Sequence, residues 1–242
     1  MSSPTWTPRE VSSESFSWRG GVWRMVEDQY RVSTLKVVDS RREQELLEKI
    51  LEEGKPPVPP RAENLDYLLY TPFRYPPHRP LGSRFRGPFD PGVYYGTERL
   101  RTAAAEISYR RWRFLQDAGG MKNLPSSTFT AFRTDAAGPA VDLRHPPWNR
   151  HERLWTAPES YEATQAFART AREAPITIIL YRSVRDPEGY GCMALLDPST
   201  LYGSQPELMQ NWTLTILPEE AVWQNRFETP FTFRTALFGR HG

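Results

Sequence analysis

Two apolar runs, Ile176 to Val184 and Gly191 to Leu196, flank the turn-forming segment Asp186-Pro187-Glu188-Gly189. The chain must double back there, so the pair predicts an antiparallel hairpin and commits the fold to a sheet. The other strand-like segments are short and scattered. They are residues 21–26, 33–38 and 93–95, Ser127 to Arg133 pairing with Ala140 to Leu143 across a turn at Asp135 to Pro139, and Trp212 to Leu217. Leu68-Leu69-Tyr70 also reads as a strand, stopped by Pro76-Pro77 because proline offers no ladder donor.

Helical patterns fall between these strands. Ser40-Arg41-Arg42-Glu43 is a capping box, followed by the apolar stripe Leu46, Leu47, Ile50 and Leu51, with Gly54 as its stop. Thr97 is placed to cap a helix from Glu98 to about Gln116, with Leu100, Ala103, Ala104, Ile107 and Leu115 along one face. Thr156-Ala157-Pro158-Glu159 predicts a third helix start, ahead of Ala163, Ala166, Phe167 and Thr170. Helices and antiparallel pairs are intermixed without βαβ regularity, which makes the class α+β: mixed antiparallel sheets with flanking helices.

A chain of 242 residues can bury one substantial core, and no low-complexity stretch divides it. The prolines at 56, 57, 59 and 60 form a stiff connector. Residues 1–60 are therefore expected as an N-terminal extension docked on a domain at 61–242, with a polar, loose start over residues 1–14. The Leu46 stripe must be buried, against that domain or a second protomer.

Lys+Arg 31 against Asp+Glu 29 leaves no bulk electrostatic footprint for nucleic acid. The run Arg110-Arg111-Trp112-Arg113 mixes bases with an aromatic, and a solvated helix face is its ordinary explanation. The single Cys192 excludes an internal disulfide and any multi-cysteine zinc site, and a reducing cytoplasm suits it. The four histidines have no metal-ligand spacing, so no metal is expected. The longest apolar run, Ile176 to Tyr181, is too short to span a bilayer.

Candidate chemistry concentrates in residues 74–106. Arg74 and Tyr75 close an apolar run, and a loop punctuated by Gly82, Gly87, Pro88, Pro91 and Gly92 carries Arg84. Tyr95 ends a short strand, and Glu106 sits at the edge of the helix face, with Ala103 one turn back leaving room for a ligand. Each has a plain structural alternative: a Glu106–Arg110 helix ion pair, surface arginines, a core tyrosine.

The ordered set Arg74, Arg84, Tyr95 and Glu106, followed by Ser183 within Tyr181-Arg182-Ser183-Val184-Arg185-Asp186, resembles the RES domain, the toxin half of bacterial toxin–antitoxin pairs. The likeness covers roughly residues 64–225 and is sharpest in GSRF, VYYGTERLRTAAAE and RSVRD. The family often has Asn where this chain has Arg86, and Pro where it has Arg182.

The resemblance implies an ADP-ribosyltransferase-like fold and an attack on NAD+, which is either broken down or used to modify a protein. The ADP-ribose acceptor stays open between water, phosphate and a protein side chain. Glu106, Arg84 and Ser183 would be catalytic, and Arg74, Arg84, Tyr95, Glu106 and Ser183 would bind the dinucleotide. The implied partner is an Xre-like helix-turn-helix antitoxin, with a homodimer also in view. In classical ADP-ribosyltransferases the catalytic glutamate follows the serine; here Glu106 precedes Ser183, so roles do not transfer by order. The competing class is a nucleic-acid-binding module without catalysis, which would need a continuous basic face.

Overall fold

The structure is a computed structural model, and it describes residues 5–28, 40–76, 81–118 and 124–238. The element order is α1 (Pro8–Ser13), β1 (Phe16–Glu27), α2 (Arg41–Glu53), α3 (Tyr67–Arg74), β2 (Tyr94–Thr97), α4 (Leu100–Asp117) and β3 (Ser127–Asp142). It continues with α5 (Glu152–Trp155), α6 (Glu162–Glu173), β4 (Ile178–Arg182), β5 (Gly191–Leu195), β6 (Leu201–Ile216), β7 (Glu220–Gln224) and β8 (Phe231–Arg234). The α+β class holds.

The described strands form one sheet in the order β1-β2-β5-β4-β3-β6-β7-β8, and β1 also pairs with β3. That extra pairing closes β1, β2, β5, β4 and β3 into a ring. Only β3 and β4 run parallel; the other pairings are antiparallel. The predicted hairpin is β4–β5, with Tyr181 opposite Cys192.

Strand alternation sorts the core onto two faces. From β4 and β5, Ile178, Leu180, Met193 and Leu195 meet Val22, Phe132 and the α3 residues Leu69 and Phe73. Their neighbours Ile179, Tyr181, Cys192 and Ala194 meet Trp6, Phe85, Trp155 and Phe167 on the other face. A third cluster packs Ala103, Ala104 and Ile107 of α4 against Phe129, Trp212, Leu214 and Trp223. Each expected apolar residue of α4 is buried or partly buried.

Several local expectations give way to tertiary structure. Leu68-Leu69-Tyr70 is helical, because Asp66 caps α3 through the Leu68 N–H (2.8 Å) and Leu68, Leu69 and Phe73 are buried at helical spacing. A three-residue apolar run cannot by itself tell a strand from a buried helix. No turn interrupts residues 135–139; β3 runs through them, paired with β1 from Phe129 to Ala140. Pro139 fits because its carbonyl accepts from Thr177 (3.0 Å), so its missing N–H faces the same edge, between the end of β6 pairing and the start of β4.

The helix expected from Glu98 starts at Leu100. Glu98 is held instead by β5: its N–H donates to the Gly191 carbonyl (3.0 Å), and its carboxylate takes the Gly191 N–H (3.1 Å) and Arg144 Nη1 (2.7 Å). Thr97 belongs to β2, and its hydroxyl donates to the Arg99 carbonyl. The helix expected from Thr156 starts at Glu162, and its buried side is Ala163, Thr164, Phe167, Ala168 and Ala171.

Residues 1–60 contribute to the sheet itself. Thr7 forms a capping box with Glu10, and Trp6 and Val11 are buried among Trp155 and Phe167, so residues 5–14 are not loose. The 21–26 strand expectation falls within β1, while 33–38 lies outside the described residues. Ser40 caps α2 as expected, through the Glu43 N–H (3.2 Å). The stripe on α2 is not covered: Leu46, Ile50 and Leu51 are 57%, 56% and 49% exposed.

Candidate functional site

The loop before β2 presents Arg84 from a closed four-residue turn. Ser83 and Arg86 exchange backbone hydrogen bonds of 2.7 and 3.1 Å, and Gly82 enters with φ +77, which only glycine adopts freely. Phe85 plugs the turn into the core against Tyr181, with ring centroids 4.8 Å apart. Tyr95 holds the same turn through its hydroxyl, which accepts the Phe85 N–H at 2.9 Å and bonds the Ser83 hydroxyl at 2.8 Å. Burial pushes the Tyr95 hydroxyl above its ordinary range, so it stays protonated. Gln165 of α6 adds donors to the carbonyls of Leu81, Ser83 and Arg86.

The buried Arg84 side chain reaches the last residue of α5 and the segment after it. Its Nη1 donates to the carbonyls of Trp155 (2.7 Å) and Ala157 (3.0 Å), and its guanidinium stands 5.0 Å from the Tyr161 ring centre. Arg185 donates to the next carbonyl, Pro158 (3.0 Å). Two buried arginines from different loops are thus fixed by one short stretch of backbone. Those carbonyls belong to the end of α5 and to residues 157 and 158, which are not helical although a helix start is predicted at Thr156.

Opposite, the turn after β4 is fastened to α4. Thr102, Glu106 and Tyr109 lie at i, i+4 and i+7, one stripe of the helix. Asp186 accepts from the Thr102 hydroxyl (2.7 Å), the Ser183 hydroxyl donates to Glu106 Oε1 (2.7 Å), and the Arg185 guanidinium lies 3.5 Å from the Tyr109 ring centre. Ser183 Oγ also accepts the N–H groups of Arg185 (3.2 Å) and Asp186 (3.0 Å), which leaves its one proton for the carboxylate. Cys192 Sγ contacts the same Oε1 at 3.8 Å. Burial, and then the Glu106 charge, push that thiol well above its ordinary range, so it remains a neutral packing group.

Glu106 and Ser183 are therefore brought together, with Arg84 close enough that its charge, like that of Glu106, bears on Tyr181, Cys192 and Arg185. Tyr95 acts on the Arg84 turn. The Glu106–Arg110 ion pair does not form among the described residues; Arg110 reaches only the Glu106 backbone carbonyl, at 3.4 Å. The basic run on α4 is tied up locally, with Arg111 on Glu27, and Arg113 on Asp117 and Glu159.

Arg74 is engaged elsewhere. It pairs with Glu52 of α2 (2.7 Å), donates to the Pro56 carbonyl (2.6 Å) and lies over Tyr70 and Tyr75. No described contact joins it to Glu106, Arg84 or Ser183. Arg74→Ala is expected to loosen α2 and lower the thermal midpoint by roughly 2–4 °C, without changing ligand affinity. Calorimetry and ligand titration on the same sample check both parts.

Sequence reasoning singled out neither Arg185 nor Asp186 as site residues. The signal was their place in the same short motif as Ser183. A cavity of about 380 Å³ opens next to this region, lined by Arg144, Asn149, Glu152, Trp155, Thr156 and Arg182 among others. Among the described residues no three His, Cys, Asp or Glu side chains converge as metal ligands, and no helix is long and apolar enough to cross a membrane.

Against known proteins, the RES domain family matches residues 58–216, well over half of the chain. No curated protein matches. Among solved structures, a chain of the M. tuberculosis MbcT–MbcA toxin–antitoxin complex is similar at 13% identity and a TM-score of 0.49, over 87% of this chain and 92% of that one.

Proposed function

The chain belongs to the RES domain family, and on that premise we propose that it is the toxin of a type II toxin–antitoxin pair, cleaving NAD+ at the nicotinamide–ribose bond. What supports the reading is one juxtaposition: a half-buried carboxylate oriented by a serine at 2.7 Å, with two buried guanidiniums close by. Breaking the glycosidic C–N bond sends its electron pair to the pyridine nitrogen, so nicotinamide leaves neutral and needs no general acid. Positive charge develops on the ribose, next to the Glu106 carboxylate.

The residues suit the substrate's other half as well. Arg84 and Arg185 supply planar donors for the diphosphate, and the Tyr161 and Tyr109 rings beside them keep those donors in place. Ser183 spends its proton on Glu106, so its part is to fix the carboxylate in the geometry the reaction uses. An acceptor oxygen, from water or phosphate, then forms the new C–O bond at the ribose carbon, and its proton, where it carries one, is released to bulk water. Depletion of cytoplasmic NAD+ arrests growth, and an Xre-like antitoxin restrains the enzyme.

Purified protein incubated with NAD+ should release nicotinamide together with ADP-ribose, or with its 1″-phosphate when phosphate is the acceptor. Label appearing on a protein in place of free product would mean ADP-ribosyl transfer, the alternative reading. Absence of nicotinamide release under both conditions would refute NAD+ cleavage. A nucleic-acid-binding module is disfavoured by the basic run on α4, whose arginines at 111 and 113 are already paired with acids.

Arg84 provides a further test. Its Nη1 is committed to two carbonyls, so ligand binding falls to the rest of the guanidinium fork, which lysine lacks. Arg84→Lys is expected to weaken binding of a slow NAD+ analogue by about tenfold, near the value of one charge-assisted hydrogen bond. Equal affinities by titration calorimetry would remove Arg84 from the binding machinery.

A further inference from the structure

The α2 helix carries an apolar face that its own chain leaves open. Leu46, Ile50 and Leu51 are about half exposed and Leu47 is half-buried. The tie to the core lies on the opposite side of the helix, where Glu52 pairs with Arg74 (2.7 Å) and Lys55 (2.7 Å). The stripe therefore points away from the domain, anchored from behind. A monomer gains nothing from such a face.

Charge on the rim of the stripe selects an occupant. At helical spacing, Arg42, Leu46, Lys49 and Glu53 run along one flank, and Glu43, Leu47, Ile50 and Gly54 along the middle. Arg42 and Glu53, at opposite ends of that flank, make no ion pair among the described residues. We propose that α2 is a self-association surface, on which a second copy of this chain packs its own α2 antiparallel about a two-fold axis.

That arrangement places Leu46 against the partner copy's Leu51, and Leu47 against its Ile50. It also sets Arg42 beside Glu53 of the other copy, and symmetry makes the pair twice. A parallel pairing would instead set this flank against the partner's other flank, where Arg42 does not meet Glu53. Glu43, on the stripe's midline, meets the side-chain-free Gly54. Two helices of 13 residues bury less than the ~1,200 Å² of a standard interface, so the dimer is concentration-dependent. The inference does not depend on the proposed chemistry.

Sedimentation equilibrium of the full chain across a concentration series tests it. Mass should rise from 28.0 kDa toward twice that value. Ile50→Glu should abolish the rise with an unchanged thermal midpoint, because Ile50 is exposed in the monomer. Arg42→Glu should raise the dissociation constant at least tenfold, and Arg42→Glu with Glu53→Arg should restore it. A monomer at every concentration would overturn the proposal and leave the face to a different protein. A dimer indifferent to these variants would place the interface elsewhere, and a lowered midpoint for Ile50→Glu would mean that another segment of the same chain covers the stripe.

Discussion

Replacing Glu106 with Ala should lower NAD+ turnover by about 10² to 10³, the loss seen when one preorganised electrostatic group is removed. The fold should survive. Glu106 is half-buried on α4, alanine is the better helix former, and the cost is one orphaned Ser183 hydroxyl. Glu106→Gln separates two explanations. Its amide oxygen can still accept the Ser183 proton, so the geometry is kept while the charge is lost. If charge stabilises the developing ribose cation, Gln should be nearly as slow as Ala. If Gln retains most of the turnover, Glu106 only positions the ligand. A folded Ala variant with full nicotinamide release would sink the assignment altogether.

Why this site was partly legible can be traced residue by residue. The β4–β5 hairpin was readable because a four-residue turn separates two apolar runs, a signal that needs no tertiary partner. Glu106 and Ser183 were readable only as an ordered set, since 77 residues separate them and no local pattern says that they meet. Arg185 and Asp186 went unassigned because a charged pair after a strand usually faces solvent, whereas here both are buried against α4. Arg74 illustrates the converse: an arginine at the right place in the order is engaged by α2, because Glu52 and the Pro56 carbonyl meet it first.

The misread elements share one physical cause. Asp135 to Pro139 has turn chemistry, yet β1 lies along that entire stretch and its ladder outweighs the local preference. Glu98 would continue a helix, but Gly191 and Arg144 satisfy it outside one. Thr156 has a capping pattern, but the carbonyls around it are taken by Arg84 and Arg185. In each case partners more than 25 residues away decide the backbone, and a single sequence does not display such partners.

That dependence makes the first 61 residues the largest structural lever. A chain beginning at Ala62 should fail to fold, not merely lose a docked extension. It would lack β1, whose 12 residues from Phe16 to Glu27 pair with Phe129 to Ala140, and whose Trp23 opposite Thr97 closes the ring through β2. It would also lack Val22, buried in the ring, and Met25, buried against α4. Trp6, 4.9 Å from Trp155 and 5.3 Å from Phe167 between ring centres, and Val11 would leave the other face. At roughly 1.5–3 kcal/mol per large buried apolar side chain, these four residues approach the whole net stability of ~5–15 kcal/mol expected for a domain. The uncovered edge of β3 would add an open ladder prone to intermolecular pairing. Expression should give aggregated protein with no cooperative thermal transition, and Trp155, which belongs to the segment holding Arg84, would lose its packing at the same time. A soluble product that keeps the full-length midpoint and its NAD+ turnover would show that β1 is dispensable to the ring.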